Sequence, residues 1–124
     1  MRERTVPITT PDGVMPVFVT HPEQDAPFPA VVLYMDFWGV REELRDVARR
    51  IATAGYYCVL PDLYYRQGHV LIERRDAAGR ARSWHLLDEQ DRERVLEPLR
   101  KLDDDMAMRD TDALLDFMAS GEPV

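Results

Sequence analysis

The chain has 124 residues, 45% of them hydrophobic and 31% charged, which suits one globular domain and excludes a low-complexity chain. A net charge of −7, with arginines interleaved among acids, argues against nucleic acid as a partner. No apolar stretch approaches the roughly 20 residues of a membrane helix, no apolar segment follows Met1-Arg2-Glu3-Arg4, and one cysteine cannot form an internal disulfide, so a cytoplasmic protein without a membrane partner is expected.

Residues 4–20 read as a β-hairpin. Val6 and Ile8 alternate with polar neighbours, Pro11-Asp12-Gly13 supplies the turn, and residues 14–20 resume extended character. Pro7 and Pro16 lack a backbone donor and are expected at sheet edges. Residues 21–29, HPEQDAPFP, form a Pro-rich surface connection in which His21 is expected to be solvated.

Residues 30–66 read as a complete βαβ unit. An apolar run over 30–35 stops at Asp36-Phe37-Trp38-Gly39, and a second over 56–60 stops at Pro61-Asp62-Leu63-Tyr64. Between them Leu44, Val47, Ala48, Ile51 and Ala52 recur at helical spacing and predict one apolar stripe. Asp46 and Arg50 are spaced for an i,i+4 pair, and Gly55 sits where a left-handed residue would end the helix. Both runs are nearly all apolar, as in strands covered on both faces, and a right-handed parallel crossover follows. Cys58, inside the second run, is expected to be an inert core thiol.

Residues 66–83 hold Gly68, Gly79 and many charges, which predicts a long loop or a short helical excursion with His69 on the surface. Residues 84–97 are predicted helical and carry His85, with Pro98 interrupting them or starting the next element. A helix follows over 101–119, where Met106, Ala107, Leu114, Phe117 and Met118 share a face. Asp103-Asp104-Asp105 at its start complement the helix dipole rather than hold a metal, and Ser120-Gly121-Glu122-Pro123 ends it. The fold class is α/β, a hairpin feeding a mostly parallel sheet.

In open α/β sheets, ligands bind outside the carboxyl ends of the strands, which here are residues 36–39 and 61–66. Asp36 follows an apolar strand and is expected to be partly desolvated. Trp38 and Tyr64 would flank one crevice as the apolar wall of a small pocket, and Arg66 is a candidate to attract a carboxylate-bearing substrate. The bland readings are that Asp36 caps the first helix and that Asp62 hydrogen-bonds within its own loop. A strand ending in Asp36 also resembles a phosphoryl-transfer site with Asp62 on Mg²⁺, but the second Asp usual two residues on is here Trp38. A third reading is a non-catalytic α/β binding or interaction module, self-associating through an exposed sheet edge.

Four segments carry a resemblance: TPDG at 10–13, PAVVLYMDFWGV at 29–40, AGYYCVLPDLYYR at 54–66 and TDALLDFM at 111–118. Together they resemble the dienelactone hydrolase family, a branch of the α/β-hydrolase fold. The resemblance implies a hydrolase of a small ester or lactone that works through a nucleophile–His–Asp triad and needs no cofactor. It also implies that Asp36, where the best-known members carry Glu, contacts the resting nucleophile, and that the Phe37 N–H is one oxyanion donor. The second donor would be the residue after the nucleophile. A nucleophile elbow needs small residues on both sides of a Ser or Cys, yet no two glycines here are four apart, and Ser83 and Ser120 lie in RARSW and MASGE. In the family's order the elbow, Asp and His come later. The chain is therefore expected to be the amino-terminal portion of such an enzyme, a single partial domain, and inactive alone.

Overall fold

The computed structural model describes residues 1–24, 27–68 and 83–124; His69 and most of the segment expected to be a loop lie outside them. The hairpin forms as its alternation and turn residues dictate. Strands β1 (Arg2–Thr10) and β2 (Gly13–His21) pair antiparallel with Pro7 opposite Pro16. The βαβ unit adds β3 (Ala30–Val32), helix α1 (Glu42–Thr53) and β4 (Tyr57–Pro61). The sheet order is β1-β2-β4-β3, antiparallel at β1–β2 and β2–β4 and parallel only at β3–β4. The α/β class stands, but the sheet is mixed rather than mostly parallel, because the hairpin supplies two of its four strands.

Pro16 therefore lies on an inner strand, not at an edge. Its carbonyl accepts the Asp62 N–H at 2.9 Å, one position beyond the last β2–β4 pair, so the missing donor falls where that ladder ends. β3 is shorter than its apolar run: only Leu33 N–H to Val59 O continues the ladder, at 2.8 Å. It is also an edge strand, so Ala30 is exposed and Val31 and Val32 are half-buried, not covered on both faces. β4 is buried throughout, and its alternation splits the core into two. Tyr57 and Val59 join Met15, Val17 and Val19 beneath Leu114 and Met118 of α3 (Asp104–Ala119), while Cys58 and Leu60 join Phe18 beneath Ala48 of α1. The result is three layers, helix on sheet on helix.

Gly55, at φ 102°, follows α1 as the left-handed residue its position predicts. Val47 of the predicted stripe is 40% exposed; the small Ala48 and Ala52 make the close contact. Asp46 pairs with Arg49 at 2.6 Å rather than with Arg50, and Arg49 also reaches Glu42 and Glu3, tying α1 to β1. His21 is buried, not solvated: its ring stacks on Tyr57 at 5.3 Å, and Nδ1 lies 2.8 Å from the Pro22 carbonyl. A 3₁₀ turn, Trp84–Leu86, precedes α2 (Glu89–Arg100), whose last turn contains Pro98 within the helix. Asp88 and Asp103 cap α2 and α3 through the N–H groups of Asp91 and Met106. Among the described residues no helix is long and apolar enough to cross a membrane.

Candidate active site

The carboxyl ends of β3 and β4 lie side by side. After Leu33 the chain leaves the sheet through Tyr34 and Met35 into a tight turn over 36–39, closed by the Gly39 N–H to the Asp36 carbonyl at 2.9 Å. Gly39 has φ 83°, a backbone conformation that favours glycine, and it sits in van der Waals contact with the Tyr64 ring. Asp36 is exposed at this lip, not desolvated, because the ladder ends three residues before it. Its Oδ1 accepts the Trp38 N–H at 3.0 Å and the Arg41 guanidinium at 2.6 Å. It does not cap α1, whose N-cap position is Arg41 and has no side-chain cap bond.

The Phe37 N–H is the unengaged amide of the turn: among the described residues it has no hydrogen-bond acceptor. Tyr64 lies beneath the turn, only 2% exposed, and its hydroxyl donates to the Phe37 carbonyl at 2.9 Å. Burial, with Asp36 and Asp62 nearby, pushes the Tyr64 hydroxyl up to about 12. Asp62 accepts the Tyr64 N–H at 3.0 Å, the within-loop bond its place after Pro61 predicts. Phe37 packs against Trp38 at 5.2 Å and meets Trp84 edge-on at 5.5 Å. A cavity of about 110 Å³ adjoins the turn, lined by Gly39, Val40, Tyr64, Asp62, Leu60 and Arg45 among others.

Arg66 is engaged elsewhere. It forks onto both carboxylate oxygens of Asp110 at 2.9 and 2.8 Å, reaches Asp12 at 2.8 Å, and lies over the Tyr65 ring at 4.7 Å. A guanidinium so committed is not open to a substrate carboxylate, and the reason is Asp110, fully buried in α3 and in need of a counter-charge. The structure thus brings Asp36, Phe37, Trp38 and Tyr64 together and sets Arg66 apart. Sequence reasoning missed Arg41, Trp84 and Asp110. For Asp110 a signal existed, since it stands four residues from both Met106 and Leu114 on the buried face. His85 is exposed on its 3₁₀ turn. Among the described residues no group of three His, Cys, Asp or Glu side chains could hold a metal ion.

The profile of the dienelactone hydrolase family matches residues 15–123. The chain belongs to the dienelactone hydrolase family. A Methylorubrum extorquens relative named as a carboxymethylenebutenolidase is 42% identical over 65 residues, which are 52% of this chain and 22% of that protein. An Escherichia coli protein of the same name is 42% identical over 55 residues, 44% of this chain and 20% of that one. A Klebsiella pneumoniae crystal structure titled as a dienelactone hydrolase superposes with TM-score 0.74 at 24% identity, covering 99% of this chain and 45% of that one. This dienelactone hydrolase family chain therefore shares the α/β-hydrolase fold and spans less than half the length of that structural relative.

Proposed function

We propose that this chain supplies the acid and one oxyanion donor of a site that hydrolyses a small ester or lactone through an acyl-enzyme. Attack on the substrate carbonyl puts negative charge on its oxygen, and a fixed backbone N–H aimed there is typically worth a factor of about 10²–10³ in turnover. The observation that carries the reading is the Phe37 amide, unengaged at the carboxyl end of the sheet beside the Asp36 carboxylate. Phe37, Trp38 and Trp84 offer an apolar surface for the substrate. Asp36, at the lip, would hold the resting nucleophile and exchange it against Arg41. The nucleophile, His and second Asp would come from outside these residues: Cys58 is buried in β4, and neither serine has an elbow around it. No cofactor enters this chemistry, and a reduced, buried thiol accords with a cytoplasmic setting.

The test is hydrolysis of a p-nitrophenyl ester and of an unsaturated lactone. The 124-residue chain is expected to be inactive, and the product of the coding sequence read on past Val124 active, with an acyl-enzyme trapped at low pH. Turnover by the 124 residues alone would overturn the placement of the nucleophile; inactivity of the longer product would overturn the function.

A second reading, an interaction module that self-associates through its sheet edge, is favoured by β3. Pro29 and Leu33 bond to β4, so the intervening Ala30 and Val32 direct their backbone groups away from it, where the sheet order places no strand among the described residues. The phosphoryl-transfer reading is less well supported, because Arg41 already neutralises Asp36 and Tyr64 engages Asp62.

A further inference from the structure

Two peptide planes flank Phe37: the first is held at its carbonyl alone, the second at both its N–H and its carbonyl. In a trans peptide the C=O and the following N–H point in opposite directions, so fixing one aims the other. The Asp36–Phe37 plane is fixed at its carbonyl by the Gly39 N–H, at 2.9 Å, which turns the Phe37 N–H outward. The next plane is fixed at its N–H by the Asp36 carboxylate, at 3.0 Å, and at its carbonyl by the Tyr64 hydroxyl, at 2.9 Å. Of these holds, only the Tyr64 bond comes from outside the turn. It comes from the turn that follows β4, the most buried strand, and Tyr64 is itself clamped by its own N–H to Asp62 and by Gly39 packed on its ring.

We infer that Tyr64 is a positioning residue, whose hydroxyl aims the Phe37 N–H at the developing oxyanion by anchoring the turn to the buried segment that follows β4. This replaces the part sequence reasoning gave it, a wall in contact with substrate, since a ring 2% exposed has little surface to offer. The inference rests on the proposed role of the Phe37 amide. The hydroxyl stays protonated, and so remains a donor, at any pH at which an esterase is assayed. A displacement of about 1 Å in a catalytic group can lower the rate about 100-fold, so a loosened turn acts on turnover rather than on substrate binding.

The experiment compares Tyr64→Phe with Tyr65→Phe, whose hydroxyl serves Thr10 and Asp110 instead of the turn. In the active protein, Tyr64→Phe is expected to lower kcat by roughly 10- to 100-fold with KM within about twofold. Amide exchange of Trp38 and Gly39 should accelerate by a similar factor, while that of Val59 and Leu60 stays unchanged and shows an intact fold. Tyr65→Phe should leave kcat and the turn amides unchanged. Unchanged exchange at Trp38 and Gly39 overturns the inference, whatever kcat does. Accelerated exchange with unchanged kcat overturns the oxyanion role of Phe37 itself, and the inference falls with it.

Discussion

The Cys58 thiol lies inside β4 with none of its surface exposed, and burial pushes it up to about 11. Because the thiolate is the reactive form, alkylation by iodoacetamide at pH 8 is expected to run roughly 100-fold slower in the native chain than in urea. Equal rates would show that β4 opens readily. Position in an apolar strand was enough to foresee this thiol. The Asp36 turn was legible in a different way. Gly39, the acid before it and the end of an apolar run marked the place, but the partner of the acid did not show. Its partner Arg41 is five residues on, and Tyr64 is twenty-seven residues from the Phe37 carbonyl it holds; neither periodicity nor turn chemistry connects such positions. The same limit hid the occupation of Arg66, because Asp110 lies 44 residues away along the chain.

Between elements, the buried cluster around Asp110 joins the hairpin turn, the 3₁₀ turn Tyr65–Gln67 that follows β4, and α3. Tyr65 bridges it, its hydroxyl 2.6 Å from Thr10 Oγ1 and donating to Asp110 Oδ1 at 2.8 Å, while Arg109 reaches Asp12 at 3.1 Å. Hydrogen bonds from Arg66 and Arg109 hold the Asp12 carboxyl below the usual carboxylate range. Removing one partner of a buried ion pair leaves the other charged and uncompensated, which costs about 3–5 kcal/mol. Arg66→Met is therefore expected to lower the urea midpoint steeply, and Arg66→Met with Asp110→Leu to recover most of the loss. Additive effects in the double variant would show that Arg66 and Asp110 do not act as a pair. Helix α3 itself was plain from its apolar spacing and its Asp103 cap. The acid in that stripe was not, because periodicity counts apolar residues and passes over a charge that takes an apolar position.

For the whole molecule, local signals located the hairpin, α1, β4 and α3 within a few residues, while the order of strands needed contacts between distant segments. The apolar run at 30–35 promised a covered strand, and instead β3 closes the sheet on one side. Sedimentation equilibrium is expected to show concentration-dependent dimers that Val32→Pro abolishes, since that N–H points away from β4 and its loss leaves the ladder intact. A monomer at every concentration would overturn pairing through this edge. The opposite side of the sheet differs. Pro16 turns its backbone toward β4, so Pro7, facing it, presents a ring in place of an N–H along the outer side of β1. A sheet that can be extended on one side only joins one more copy about a two-fold axis and then has no free side to offer. If β3 pairs as proposed, assembly would stop at a pair. A proline in a hairpin would then set the largest assembly this sheet builds, and keep it short of a fibre.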